Sequence, residues 1–119
     1  MQRFDIPLTT NAAGSGSSLS SSQATGLIRQ IQYTPDPNTP LAAGADLVIT
    51  AEVSGLPILT VTGIGSVPVV FAPRQPTCTL AGVGAAANDL LAIATECIKV
   101  AVTNGGVSTA GLLSVWVGW

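Results

Sequence analysis

The apolar and polar residues of this chain alternate with a period of two, which is typical of β-strands rather than of helices. In DLVITAEV, residues 46–53, four apolar side chains share one parity, and Val48 is the one apolar residue on the other. We interpret this run as a half-buried strand. Further runs with β-branched or alternating composition are FDIPLTT at 4–10, LIRQIQY at 27–33, PILTVTG at 57–63 and SVPVVFA at 66–72.

Three of these runs carry information about their place in a sheet. Pro7 and Pro68 lack the N–H group that an interior strand donates, so we expect their strands at sheet edges or at a bulge. In residues 27–33, Arg29 shares its parity with the apolar side chains. The pattern therefore leaves open which face of that strand is buried.

Segments rich in Pro, Gly, Asn and Asp separate the runs: TPDPNTP at 34–40, GLP at 55–57, GIG at 63–65, APRQP at 72–76 and TNGG at 103–106. Short strands punctuated in this way predict an all-β fold, an antiparallel β-sandwich or jelly-roll-like domain of about 7–8 short strands. AAANDLLAIA at 85–94 is the one candidate for a short helical segment, with Asn88 as its cap, and its parity is also compatible with a strand.

The C-terminal residues 98–119, IKVAVTNGGVSTAGLLSVWVGW, contain two alternating apolar runs around an Asn-Gly-Gly turn, which predicts a hairpin. The same alternation places Trp116 on the outer face. Either a loop, a second sheet or the N-terminal segment covers this tryptophan, or another chain does. The side chains expected to face the core are Ile98, Val100, Val102, Leu113, Val115 and Val117.

The length of 119 residues fits a single β domain spanning residues 1–119. The Gly/Ser tract GSGSSLSSSQ, residues 14–23, buries too little apolar area to offset its ordering entropy. We therefore expect residues 1–24 to form an N-terminal strand or arm that includes a flexible loop. MQRFDIPLTT lacks the apolar stretch of a signal peptide, which predicts synthesis and folding in a cytoplasm.

The chain has few charges: 8% of its residues are charged, its net charge is -2, and 47% of its residues are hydrophobic. Sparsely charged surfaces tend to associate, so the composition favours a subunit of an assembly over a free monomer. The four basic residues are scattered and form no patch for a phosphate backbone, so we expect no nucleic-acid partner. Gly and Pro interrupt the uncharged stretches 53–73 and 100–119, so we expect no membrane span either.

Few side chains of this chain suit catalysis. The chain has no histidine, which excludes Ser-His-Asp and Cys-His arrangements and His-containing metal sites. Asp46 and Glu52 share a strand parity, but six residues of strand separate them by about 20 Å, too far for a glycosidase pair. Asp-Pro-Asn at 36–38 is interpreted as a turn rather than a calcium loop. We therefore predict no enzyme, catalytic residue, cofactor, metal site or small-molecule substrate.

Cys78 and Cys97 have no third cysteine or histidine to complete a metal site. We interpret them as two buried free thiols, because the expected compartment is reducing. A disulfide is the alternative if the fold brings their Cα atoms within about 7 Å.

Several stretches resemble a group of small structural proteins encoded in the virion modules of tailed bacteriophages. They are MQRFDIPLTTNAAGSGS, GLIRQIQYTPD, GADLVITAE, ILTVTGIG, ECIKVAVTNGG and SVWVG, which together span most of the chain. The resemblance implies a β-sandwich or jelly-roll subunit of the virion, above all a capsid decoration (cement) protein with the major capsid protein as its partner. A head-to-tail or tail and fibre component is the nearby alternative, and a carbohydrate- or surface-binding β module is an alternative of another class.

Large aromatic side chains are the best candidates for anchors in such an assembly, because tryptophan and tyrosine are enriched at interface hot spots. We predict that Trp116, with Tyr33 or Phe71, anchors contacts between subunits of a dimer or trimer. Trp119 is a further interface candidate at the C-terminal end of the sequence.

Overall fold

The computed structural model describes residues 1–78 and 84–118, and for residues 76–78 and 84–88 it describes the backbone alone. This part of the chain contains eleven strands and no helix, which confirms the all-β antiparallel class and exceeds the expected number of strands. The strands are β1 (Gln2–Thr9), β2 (Gly16–Leu19), β3 (Ala24–Pro35), β4 (Asp46–Ala51), β5 (Pro57–Val61), β6 (Val69–Phe71), β7 (Arg74–Cys78), β8 (Gly84–Leu90), β9 (Ala92–Glu96), β10 (Ile98–Thr103) and β11 (Ala110–Gly118).

Two antiparallel sheets enclose the core. The first sheet has the order β1-β11-β3-β6, and β9 pairs with β3 beside β6; the second sheet has the order β2-β10-β4-β5. β7 and β8 pair with each other as a separate two-stranded sheet. Both large sheets contribute fully buried side chains, among them Ile6, Leu8, Ile28, Ile31, Tyr33, Leu47, Ile49, Ile98, Val100 and Leu113.

The predicted C-terminal hairpin is wrong, because β10 and β11 lie in different sheets. β10 pairs with β2 and β4, whereas β11 pairs with β1 and β3. The Asn-Gly-Gly segment bonds to a neighbouring loop instead of closing a tight turn: the Gly105 N–H donates to Gly14 O at 2.8 Å. The six apolar side chains expected in the core are nevertheless all buried, because they face each other across the sandwich.

The Gly/Ser tract is not a flexible loop throughout, since β2 forms the edge of the second sheet within it. Its backbone pairs with β10, and the Ser20 hydroxyl accepts the Ile98 N–H at 2.9 Å and donates to Ser22 O at 2.7 Å. These bonds hold the strand although its side chains bury little apolar area. β2 also runs close to β1, because Gly16 lies against Thr9 O with no room for a Cβ between them.

A β-bulge in β3 explains the conflicting parity of residues 27–33. Val117 is opposite Ile28 and Trp116 is opposite Gln30, so Arg29 is the extra residue on the β3 side. A bulge shifts the side-chain alternation by one position. Ile28 and Ile31 can therefore both face the core, where each is fully buried.

The candidate helix at 85–94 is wrong and its strand alternative is confirmed, because β8 and β9 occupy the segment. Leu91 and Ile93 are buried at alternate positions, while Ala92 and Ala94 are exposed. This period of two fits the pairing of β9 with β3.

The expected edge strands are confirmed: β1, which contains Pro7, and β6, which follows Pro68, both lie at edges of the first sheet. Cys97 is a free, half-buried thiol between β9 and β10, whereas the side chain of Cys78 lies outside the described residues. Within residues 1–78 and 84–118, no helix has the length and apolarity needed to cross a bilayer.

The approach of β2 to β1 makes Gly16 sensitive to substitution. We expect Gly16→Ala to lower the free energy of unfolding by about 2–3 kcal/mol, because the new methyl group meets backbone that must move. Gly44→Ala is the matched control, since a Cβ at Gly44 has no neighbour within 4 Å, and it should change stability by less than about 1 kcal/mol. Urea unfolding followed by tryptophan fluorescence measures both. Equal stability of the two variants would contradict the close contact between β1 and β2.

Candidate interaction surface

The outer side of the first sheet carries the predicted anchor Trp116, at the junction of β1 and β11. Because β1 and β11 are antiparallel and in register, their outward side chains form cross-strand pairs. We call this surface the β1–β11 face, and its pairs are Arg3 with Trp116, Asp5 with Ser114, and Pro7 with Leu112.

The β1–β11 face holds a small network of charged and aromatic groups. The Arg3 guanidinium carbon lies 5.3 Å from the centroid of the Trp116 ring, within the range of a cation–π contact. Arg3 Nε donates to Asp5 Oδ1 at 2.8 Å, and the Ser114 hydroxyl donates to the same oxygen at 2.7 Å. Exposed ion pairs of this kind contribute little stability. Their main effect is to hold the guanidinium group beside the tryptophan ring.

Trp116 points outward as predicted, and the N-terminal segment is what lies against it. Arg3 of β1 leaves the ring half-buried rather than bare. Ser114 is on the same face, yet only 3% of it is exposed, and it is hydrogen-bonded to both Arg3 and Asp5. The N-terminal strand thus covers part of the Trp116 ring and leaves the rest of it exposed on the β1–β11 face.

The hydrogen bond from Ser114 and then the one from Arg3 lower the pKa of the Asp5 carboxyl group from its usual value, because both donors favour the charged form. The carboxylate is therefore ionised at neutral pH. In that state it is a constant acceptor for Arg3 and keeps the β1–β11 face in one arrangement.

The other predicted anchors lie elsewhere. Tyr33 is fully buried, and its hydroxyl donates to Gly65 O at 3.2 Å, so it offers no surface to another chain. Burial raises the pKa of the Tyr33 hydroxyl. Phe71 on β6 is partly buried and packs against the core. Trp119 lies outside the described residues, so Trp116 is the candidate that the structure places on the β1–β11 face.

The sequence alone does not indicate the part played by Arg3 and Asp5. Their positions two residues apart on a strand predict only that they share a face. Their closeness to Trp116 depends on the pairing of the first strand with the last, which no local pattern indicates. An outward tryptophan in a chain with four basic residues is the one signal in the sequence for a cation against the ring.

The remaining carboxylates mostly hold turns. Asp36 Oδ1 accepts the Asn38 and Thr39 N–H groups at 2.8 and 3.1 Å, which confirms the turn at 36–38. Glu96 Oε1 accepts the Val53 and Ser54 N–H groups at 2.8 and 2.6 Å, which ties β9 to the connection after β4. Among the residues that the structure describes, no three or more His, Cys, Asp or Glu side chains form a group that could hold a metal ion.

Two shallow depressions lie on the surface of the sandwich. One has a volume of about 470 Å³ and lies on the second sheet, lined by Ser17, Ser18, Leu19, Glu52 and Lys99. The other has a volume of about 370 Å³, borders the β1–β11 face at Pro7 and Leu112, and also contains Pro35 and Pro37. The second depression extends the apolar part of the β1–β11 face away from Trp116.

Comparison with known proteins gives little information on function. No protein-family model and no curated protein matches the chain. Among solved structures, one titled "Crystal Structure of FLHE" is similar to this chain, with a TM-score of 0.45 and 13% sequence identity over 96% of this chain and 92% of that chain. A likeness at this level carries no functional argument.

The Asp5 network predicts a specific pH dependence. A carboxyl group whose pKa is lowered in the folded state stabilises the protein above its unfolded pKa, and this contribution is lost as the pH falls through the folded pKa. We expect Asp5→Asn to reduce the loss of stability between pH 5 and about pH 2. Ser114→Ala removes the largest cause of the lowered pKa and should reduce that loss in part.

Urea midpoints measured across this pH range give the comparison. The double variant Asp5→Asn, Ser114→Ala is the control, and its pH dependence should equal that of Asp5→Asn alone, since no carboxyl group remains for Ser114 to act on. If Asp5→Asn keeps the wild-type pH dependence, the network does not contribute to stability.

Proposed function

We propose that this chain is a non-enzymatic structural subunit of a virion, a capsid decoration (cement) protein that stabilises a phage head through many protein–protein contacts. The observation that supports the proposal best is the β1–β11 face. There a tryptophan is held by an arginine on a sheet whose other side is the core. Tryptophan and arginine are the residue types most enriched among interface hot spots.

The rest of the surface suits the same role. Leu19 and Val48, on the outer side of the second sheet, are 46% and 41% exposed, and the chain carries few charges to repel a neighbour. A cement subunit adds binding free energy across joints between capsid proteins and does no chemistry. Weak contacts repeated by a symmetric oligomer act together, so each one can be modest.

The proposal includes partners and location. The chain binds copies of itself, as a dimer or trimer, and the major capsid protein, and it acts in the virion after assembly in the host cytoplasm. A head-to-tail or tail component would use the same kind of surface at another joint. That alternative differs in where the subunit sits on the particle and not in the residues that make contact.

We expect Trp116→Ala to weaken binding to capsids of the virus that encodes the chain by about 30-fold, the loss of one aromatic hot spot worth about 2 kcal/mol. Val53→Ala is the matched control, because it truncates an exposed apolar side chain in the connection between β4 and β5, and it should leave binding nearly unchanged. Co-sedimentation of purified protein with capsids lacking it measures the affinity, and circular dichroism checks the fold of both variants.

The capsid-binding experiment distinguishes a decoration protein from a carbohydrate-binding module. Failure of the wild-type protein to bind capsids would contradict a decoration role. Saturable binding to a glycan array by the isolated protein would instead favour a carbohydrate-binding module, with Trp116 and the depression beside Pro7 as its site.

A further inference from the structure

The outer edge of β1 is the longest strand edge in the described part of the chain that has no partner strand. β1 has eight residues and pairs with β11 on one side. The other edges of the two large sheets carry features that discourage strand pairing, such as shortness, prolines or bulges. β6 has three residues between Pro68 and Pro73, β2 has four, β5 begins at Pro57 beside a bulge, and β9 contains a bulge.

The hydrogen-bonding groups of β1 that point away from β11 can be identified from one bond. The Thr10 N–H donates to Thr109 O at 2.9 Å, so Thr10 is a hydrogen-bonded position against the last strand. Because such positions alternate in an antiparallel ladder, the odd-numbered residues of β1 direct their backbone groups to the free edge. Arg3 and Asp5 therefore each present an N–H and a C=O group there, and Pro7 presents a C=O group only.

We propose that β1 pairs with β1 of a second copy of this chain across a twofold axis, with Arg3 opposite Asp5 of the second copy. In this register the odd-numbered residues face each other, so the free backbone groups of Arg3 and Asp5 bond reciprocally. Two such pairs are related by the axis, which passes beside Phe4. The first sheets of the two copies then form one continuous sheet.

The charges of β1 select this register over its neighbours. A shift of the second copy by two residues in one direction places Arg3 opposite Arg3, and a shift in the other direction places Asp5 opposite Asp5. Like charges directly opposite each other destabilise a strand pair, whereas opposite charges stabilise it. The second of these shifts also brings Pro7 opposite Arg3, where its missing N–H removes a ladder bond.

The internal contacts of β1 are compatible with this pairing. Arg3 and Asp5 are about half exposed, at 53% and 48% of their side chains, and already bind each other within the chain. Across the axis the four side chains alternate in sign, so each arginine lies between two carboxylates. The pairing uses the β1 edge of both copies, which closes the assembly as a dimer.

This inference deepens the self-association part of the proposed function, on which it rests, by naming the edge and the register. A dimer formed in this way presents two β1–β11 faces on one continuous sheet. Two identical faces would give the bivalent contact that strengthens a weak interface on a repeating lattice.

Charge reversal of the full-length chain tests the proposal. Arg3→Asp and Asp5→Arg each place like charges opposite each other at two symmetric points, and each should weaken the dimer by about tenfold or more. The double variant Arg3→Asp, Asp5→Arg restores opposite charges and should recover a dimer. Because the double variant has also lost the contact of Arg3 with Trp116, recovery separates strand pairing from the role of Arg3 within one chain. Sedimentation equilibrium over a dilution series gives the dissociation constants.

Hydrogen exchange gives an independent measure on the wild-type protein. The Arg3 and Asp5 amides should exchange more slowly at high protein concentration than at low concentration. The Thr9 amide has the same parity but lies outside the paired segment, and its exchange should not depend on concentration.

Three results would overturn the proposal: a wild-type monomer at all concentrations, a dimer insensitive to both single reversals, or a double variant that does not recover. A monomer that still binds capsids would remove this inference and leave the decoration role standing. A charge-sensitive dimer that binds no capsid would support the β1 pairing and contradict the decoration role.

Discussion

The sandwich depends on contacts at one end, where several chain segments pass from one sheet to the other and two of them bond directly to each other. Residues 10–15 lead from β1 to β2, and residues 104–109 lead from β10 to β11. The Thr10 hydroxyl donates to Gly106 O at 2.8 Å and accepts the Thr109 N–H at 2.8 Å. Because each segment joins a strand of one sheet to a strand of the other, these bonds fix how the sheets meet. They also hold β1 beside β11, which creates both the β1–β11 face and the free edge.

The alternation of side chains predicted the buried faces of β4, β10 and β11 but not the pairing of the strands. Ile98 and Leu113 were expected in one core and are fully buried there, although their strands lie in opposite sheets. The apolar face of a strand is buried whether the next strand of the chain pairs beside it or lies in the facing sheet. Side-chain parity therefore cannot distinguish these two arrangements. β2 gave no signal at all, because backbone bonds and a close approach at Gly16 hold it rather than apolar side chains.

The face on which a candidate side chain lies was predictable only in strands without a bulge. Trp116 was placed correctly on the outer face, because the bulge between β3 and β11 inserts its extra residue in β3. Tyr33 lies beyond that extra residue, and counting across Arg29 gives conflicting faces. Its exposure could therefore not be judged from the sequence, and it belongs to the core. The contact of Arg3 with Trp116 needed the pairing of the first and last strands.

The scarcity of charge gives the Arg3–Asp5 pair its importance. The chain has four basic and six acidic residues in 119, so most of its surface can associate through apolar contacts. Charge complementarity usually defines the orientation of two partners, and few charges are present here to do so. Two opposite charges spaced two residues apart on a free strand edge define both an antiparallel direction and a register. The same arginine lies against Trp116. A partner strand that moved Arg3 would therefore also change how the tryptophan is presented, so self-association and recognition of a second protein would be coupled through one side chain.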